Sequence, residues 1–135
     1  MKNIENDCPC YSGETYGKCC KRLHDGELPE NALQLMRSRY SAYALNIPEY
    51  IIKTSHPANL QYSEDKFFWK QSISQFSQST LFQKLDILDF QENDTLATVT
   101  FRAQLSQQNR DTSFTEKSYF KKINDQWLYL SGQML

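Results

Sequence analysis

The chain has 135 residues, which fits one ordinary domain with a small appendage rather than two full domains. Hydrophobic residues make up 39% of it and aromatic residues 13%, which excludes a disordered chain. A net charge of -1 argues against binding nucleic acid through bulk charge. No apolar stretch is long enough to span a membrane, and the N-terminal residues lack the apolar segment of an export signal. We therefore expect a cytoplasmic protein.

The four cysteines lie together near the N-terminus, between Cys8 and Cys20, and none follows. A disulfide scaffold would spread its cysteines along the chain to join distant loops. Four thiolates this close can form a tetrahedral shell around Zn²⁺ at Zn–S distances of about 2.3 Å, and Gly13 and Gly17 permit the turns that this requires. The pattern predicts a metal site, with a redox pair or a catalytic thiol as the alternative.

Residues 8–20 read CPCYSGETYGKCC, which resembles the SEC-C motif first known from the zinc-binding tail of the SecA translocation motor. Every specified position of that motif is matched, and only the Gly that commonly follows the second Cys is replaced, by Tyr11. The resemblance implies that one structural Zn²⁺ is bound by Cys8, Cys10, Cys19 and Cys20. We expect His24 to be an exposed loop histidine rather than a fifth ligand.

Helices are predicted in the first half of the remaining chain. Residues 21–30 are polar and contain Gly26 and Pro29, so we predict a linker there. Asn31 is a good N-cap, and Pro48 suits the first turn of a helix. Apolar residues at spacings of three and four then predict three helices. They span residues 31–46, 48–52 and 64–76.

Strands are predicted after Ser77, where the apolar period becomes alternating. The predicted strands span residues 82–90, 96–105, 112–123 and 126–131. Helices followed by an antiparallel sheet give an α+β class. A twisted sheet wrapped over a few helices forms a cone, which is the nuclear-transport-factor-2-like (NTF2-like) architecture. We therefore expect a small N-terminal zinc knuckle and then about three helices packed on a curved antiparallel sheet.

Several segments are similar to the YchJ family. They are LMRSRYSAY at 35–43, YIIKTSHP at 50–57, EKSYF at 116–120 and QWLY at 126–129. The family places a SEC-C motif directly before an NTF2-like domain, which implies a SEC-C motif at 1–24 and an NTF2-like domain at 25–135. Many members carry a second SEC-C motif after the domain, whereas this sequence stops at Leu135 without one. We therefore expect no function that needs two SEC-C motifs. The resemblance implies fold and metal, and leaves the role open.

A cone of this kind encloses a cavity, and cavities lined by aromatic and a few polar side chains are common ligand sites. Arg37 lies one position from the apolar stripe of its helix and could point into the cone, although Arg37 and Arg39 also suit surface or ion-pair roles. An ion pair between Arg37 and Glu116 would be structural only. The candidate pocket residues are Arg37, Tyr40, Thr54, His56, Trp69, Arg102, Glu116 and Tyr119.

For two of these candidates a purely structural role is a natural alternative to a role in the pocket. His56 precedes Pro57 at a helix end and is consistent with a hydrogen-bonded loop histidine as well as with a catalytic base. Trp69, like Trp127, is typical of a core anchor.

Three functions remain in competition. The favoured one is a zinc-binding accessory protein whose knuckle docks a protein partner, with the NTF2-like domain as a second contact. The basic residues Lys18, Lys21 and Arg22 would face that partner. In SecA the similar knuckle contacts the chaperone SecB and lipids or ribosomes, which suggests export or translation machinery. The alternatives are a cone that holds an anionic small-molecule ligand on Arg37 or Arg102, and an isomerase or dehydratase centred on His56.

Overall fold

Helices precede an antiparallel sheet, as predicted for the α+β class. The computed structural model describes residues 4–135, so residues 1–3 of the predicted SEC-C segment lie outside the described residues. No helix within 4–135 has both the length and the apolar content that crossing a membrane requires. A 3-10 turn over Tyr16–Lys18 leads into α1 (Cys20–His24), α2 (Ala32–Leu45), α3 (Pro48–Lys53) and α4 (Lys66–Gln78).

Side-chain caps fix where the two long helices begin. The Asn31 side chain accepts a hydrogen bond from the Gln34 N–H and caps α2, as its position in the sequence predicts. Asn46 ends that helix in the left-handed region, at φ 58°. The Asp65 carboxylate accepts from the Phe68 N–H, so α4 begins after Asp65 rather than at the predicted residue 64.

The linker predicted over residues 21–30 is wrong in its first part, because α1 occupies Cys20–His24. This helix is short and contributes one fully apolar side chain to the core, Leu23, so no apolar period is visible in the sequence. The prediction that His24 is an exposed loop residue is also wrong. His24 is half-buried, and its ring is hydrogen-bonded to the Tyr16 hydroxyl (2.7 Å) and the Ser38 carbonyl oxygen (2.9 Å).

The sheet is an antiparallel meander in the order β1-β2-β4-β5, with the short β3 paired to β2. Its long strands match the four predicted ones, each extending or shifting by a few residues. The strands are β1 (Leu81–Glu92), β2 (Leu96–Gln107), β3 (Arg110–Asp111), β4 (Phe114–Ile123) and β5 (Gln126–Met134).

One face of the sheet is buried against the helices, chiefly α2. In β2 the apolar positions from Ala97 to Leu105 are buried and the polar positions between them are at least partly exposed, as the alternation in the sequence predicts. Trp127 on β5 is 2% exposed, which confirms that it is a core anchor. The core is thus formed between this face of the sheet and the helices.

The end of α3 is joined to β5 by backbone hydrogen bonds. The Tyr129 N–H donates to the Thr54 carbonyl oxygen at 2.8 Å, and the His56 N–H donates to the Tyr129 carbonyl oxygen at 2.8 Å. Backbone groups in this loop are therefore satisfied by the sheet itself. This junction holds the helices against one edge of the sheet.

Two side-chain hydrogen bonds, together with apolar packing on Leu45, fasten the cysteine-rich segment to the domain. Arg37 on α2 donates from Nη1 to the Cys10 carbonyl oxygen at 2.8 Å. The Tyr11 hydroxyl donates to the Phe82 carbonyl oxygen of β1 at 2.9 Å, and its ring meets Tyr40 edge-on at 6.3 Å between centroids. The segment therefore packs on both α2 and the start of the sheet.

Tyr11 has a left-handed backbone, with φ 61°. This conformation is costly for a bulky side chain and easy for glycine, which explains why the SEC-C pattern commonly has Gly at this position. In this chain the hydrogen bond to Phe82 and the contact with Tyr40 offset that strain.

The strain predicts an unusual order of stability at position 11. We expect Tyr11→Gly to be more stable than Tyr11→Ala by about 1–2 kcal/mol, because both variants lose the tyrosine contacts and only alanine keeps the left-handed penalty. Urea unfolding of the purified protein measures the difference.

The control is the same pair of substitutions at Tyr119, which lies in β4. There alanine should be at least as stable as glycine, because glycine weakens a strand. If alanine proved as stable as glycine at position 11 too, the strain would not exist.

Candidate metal centre and cavity

The four cysteine sulfurs lie close together, all within 4.8 Å of one another. The Cys10 and Cys19 sulfurs are 3.6 Å apart, and those of Cys19 and Cys20 are 3.9 Å apart. A tetrahedral site with Zn–S bonds of about 2.3 Å separates its sulfurs by about 3.8 Å. A disulfide would need about 2.05 Å. The donor set therefore fits a tetrahedral metal ion, and the cluster can hold one.

Tight turns bring these sulfurs together. The Cys8 N–H donates to the Glu14 carbonyl oxygen at 2.8 Å, and the Tyr11 N–H donates to the Cys8 carbonyl oxygen at 3.1 Å. Cys20 lies at the start of α1, so the helix that the sequence did not reveal carries one of the sulfurs. Three of the four side chains, those of Cys8, Cys10 and Cys20, are buried.

The cysteine side chains are close enough to hydrogen-bond to one another, and these hydrogen bonds shift their pKa values in opposite directions. Hydrogen bonds from the Cys20 and Cys8 thiols hold the pKa of Cys10 well below its ordinary value. The hydrogen bond to Cys10 raises the pKa of Cys20, and a hydrogen bond to Cys10 raises the pKa of Cys8 to about 12. A bound cation would displace these protons and neutralise part of the negative charge of the thiolates.

The basic residues near the cluster are partly neutralised. Lys21 forms an ion pair with Asp25, and Arg22 forms one with Glu27. Lys18 is exposed. The basic face expected from the sequence therefore consists mainly of paired charges.

A cavity of about 640 Å³ lies between the inner face of the sheet and the helices α2 and α4. Its wall is mostly aromatic and aliphatic, with a few polar side chains. The aromatic lining residues are Tyr40, Tyr43, Phe68, Trp69, Phe76, Phe82, Phe101, Phe114, Phe120 and Tyr129.

Three of the eight predicted pocket residues line this cavity: Tyr40, Trp69 and Glu116. The Tyr40 hydroxyl donates to the Lys84 carbonyl oxygen at 3.1 Å, so only its ring is offered to the cavity. Trp69 is buried and packs edge-on against Tyr62. Glu116 is therefore the one charged group of the predicted set that reaches the cavity.

Arg37, Thr54 and His56 do not line the cavity, contrary to expectation. Arg37 turns to the Cys10 carbonyl oxygen instead, because it lies on the side of α2 that faces the cysteine-rich segment, and it makes no ion pair with Glu116. The Nδ1 of His56 accepts from the Ala58 N–H at 2.9 Å, as expected of a hydrogen-bonded loop histidine.

Arg102 and Tyr119 also lie outside the cavity. Both occupy strand positions whose side chains point away from the core, where Arg102 donates to the Thr115 hydroxyl (3.4 Å) and Tyr119 to Gln133 (3.2 Å). The alternation in β2 places Arg102 between the buried Phe101 and Ala103, which is why it cannot reach the cavity.

The arginine that does line the cavity is Arg39, which the sequence suggested for a surface or ion-pair role. It is 8% exposed, and its Nη1 donates to the Thr54 hydroxyl at 2.8 Å. A signal was present in the sequence, because Arg39 lies four residues from both Leu35 and Tyr43 and so shares their face of α2.

Glu116 is held by hydroxyl groups. Its Oε2 accepts from the Ser118 hydroxyl and, at 3.1 Å, from the Tyr129 hydroxyl. Burial raises the pKa of Tyr129, so this hydroxyl stays protonated and remains a donor at neutral pH. A Cβ on Gly132 would come within 2.5 Å of the Glu116 carboxylate, so the glycine leaves the space that the carboxylate occupies.

Comparisons with known proteins agree with this architecture. The family model for the YchJ middle NTF2-like domain matches residues 31–132. A UPF0225 protein of Haemophilus influenzae strain PittEE is 35% identical over 130 residues, which cover 94% of this chain and 78% of that protein.

Two solved structures also match. The solution structure of a SEC-C-motif-containing protein from Rhodopseudomonas palustris is 28% identical with a TM-score of 0.79, covering 100% of this chain and 99% of that one. The crystal structure of a SEC-C-motif-containing protein from Psychrobacter arcticus is 26% identical with a TM-score of 0.79, covering 96% and 83%. Since the family model matches more than half of the chain, this protein belongs to the YchJ family, with a SEC-C-type cysteine cluster ahead of an NTF2-like domain.

Proposed function

We propose that this protein binds a small organic molecule in its cavity, while the four cysteines hold one structural Zn²⁺ that keeps the N-terminal segment folded on the domain. The observation that carries the binding role is the cavity of about 640 Å³ with an aromatic wall and a few charged and hydroxyl groups. Ligand sites typically have volumes of about 300–1,000 Å³ and this kind of lining.

The zinc part of the proposal is supported by the donor set. Four thiolates complete a tetrahedral shell and leave no position open for a substrate, so the ion has a structural role. The segment that carries them has a small core of its own, formed mainly by three cysteines and Tyr16. Metal binding would therefore supply much of its folding free energy.

Small-molecule binding is better supported than the two other functions. Docking of a protein partner by the knuckle, such as export or translation machinery, stays a prediction, and ion pairs engage two of its three basic residues, Lys21 and Arg22. An isomerase or dehydratase centred on His56 would need that ring at the cavity, and it is not among the lining residues.

Mass spectrometry under non-denaturing conditions tests the metal. We expect one Zn²⁺ per chain, and we expect a chelator to lower Tm by more than about 5 °C because the ion stabilises only the folded segment. Cys20→Ser should abolish stoichiometric zinc binding.

His56→Gln is the matched control, because it removes a potential zinc ligand that lies away from the cluster and should leave the stoichiometry at one. Purified protein that carries no metal and takes up none on addition of Zn²⁺ would contradict the assignment.

Blocking the cavity tests the binding role. We expect small aromatic fragments to bind the wild-type protein in ligand-observed NMR, and Ser72→Trp to abolish binding because Ser72 lines the cavity on α4. Gln71→Trp is the control, because Gln71 and Ser72 are adjacent and both exposed on α4, but only Ser72 lines the cavity. Binding that is equal in both variants would place the fragments elsewhere.

A further inference from the structure

Arg39 is a buried cation without an anionic partner. Its hydrogen bonds all use Nη1, and they go to the neutral oxygens of Ile51, Thr54 and Ser55 at 3.1, 2.8 and 3.2 Å. No carboxylate of residues 4–135 lies within ion-pair distance of it, and the ion pairs found in that range join exposed side chains. A charge buried in this way is costly unless something pairs with it.

The hydroxyl groups of Thr54 and Ser55 determine which donors of the Arg39 guanidinium remain without a hydrogen-bond partner. Thr54 Oγ1 donates to the Tyr50 carbonyl oxygen (2.7 Å), and Ser55 Oγ donates to the Ile51 carbonyl oxygen (2.7 Å). Each hydroxyl therefore donates its hydrogen to a backbone carbonyl and accepts from Nη1 of Arg39 through a lone pair. Nε and Nη2 of Arg39 make no hydrogen bond to any described residue.

Those remaining donors belong to a side chain that lines the cavity. Nε and Nη2 of an arginine form a flat fork that matches the two oxygens of a carboxylate. The fork is held in place from beneath, because the guanidinium carbon lies 4.5 Å from the centre of the Tyr129 ring. The position of the fork is thus fixed before any ligand arrives.

Glu116 lines the cavity from β4, whereas Arg39 lines it from α2, and the two side chains form no ion pair. The hydroxyls of Ser118 and Tyr129 both donate to its Oε2, so neutral groups hold this carboxylate in place. The cavity therefore has one cationic and one anionic group, and each is held by neutral partners. A second negative group on a ligand in the same cavity would be repelled by Glu116.

We propose that the ligand of this cavity is an organic monocarboxylate with an aromatic or other apolar body. Its carboxylate pairs with Nε and Nη2 of Arg39, and its body packs on the rings of Tyr43, Phe101 and Phe120. This inference rests on the proposed function, because it names the class of molecule that the same cavity binds.

Matched pairs of probes test the charge of the ligand. Indole-3-acetate and indole-3-acetamide have nearly the same shape, as do phenylacetate and phenylacetamide, and only the acids can form the charge-assisted pair. We expect each acid to bind the wild-type protein at least about tenfold more tightly than its amide, by titration in NMR. The assigned Arg39 Nε–H resonance should shift with the acid and not with the amide.

The same titrations separate this inference from the proposed function. If an acid and its amide bind equally and Ser72→Trp abolishes both, the cavity is a binding site and the carboxylate inference is wrong. If no probe binds, both are wrong.

Variants of the arginine add a second readout. Arg39→Lys keeps the charge but removes the fork, so it should lower the preference for the acid to less than about threefold, and Arg39→Met should abolish it. Arg102→Met is the control on the outer face of the sheet and should leave the preference unchanged. If an Arg39 variant does not fold, the wild-type preference and the Nε–H shift decide the question.

Glu116 provides the test of the single negative charge. We expect 1,4-phenylenediacetate to bind more weakly than phenylacetate, and Glu116→Gln to bring the two affinities closer together. If this substitution left their ratio unchanged, Glu116 would not select monocarboxylates and that part of the inference would be wrong.

Discussion

The buried guanidinium of Arg39 joins three of the elements around the cavity, namely α2, α3 and β5. From α2 it donates to the end of α3, and it lies over the ring of Tyr129 on β5. The backbone of Tyr129 is in turn hydrogen-bonded to Thr54 and His56 at that same end of α3. These hydrogen bonds and the ring contact of Arg39 therefore position α2, the end of α3 and β5 relative to one another, and apolar side chains pack the rest of the core.

The cysteine cluster lies on the opposite face of α2. Arg37, two residues before Arg39, holds the Cys10 carbonyl oxygen, so neighbouring arginines of one helix serve two different sites. This arrangement follows from helical geometry, because residues two positions apart point to nearly opposite sides. The cysteine-rich segment therefore contacts α2 on one face, while the hydrogen bonds of Arg39 hold its opposite face against α3.

Local patterns in the sequence predicted most of the fold and only part of the site. The alternation in β2, the Asn31 cap and the grouping of the four cysteines depend on residues close in the chain, and the structure shows the alternation, the cap and four sulfurs close together. The short helix α1 was missed because Leu23 alone gives no period. The choice between Arg37 and Arg39 depended on which side of α2 meets the sheet, and that contact joins residues far apart in sequence.

Two tyrosine hydroxyls bind backbone carbonyl oxygens at one end of the outermost strand of the sheet. β1 is the outermost strand, and the carbonyl oxygens of Phe82 and Lys84 near its start accept from Tyr11 and Tyr40. Unpaired backbone groups on an outer strand invite a strand from another molecule, which is a route to aggregation. A foreign strand at this end would have to displace both hydroxyls, so Tyr11, which attaches the cysteine-rich segment, also occupies a backbone acceptor of the outermost strand.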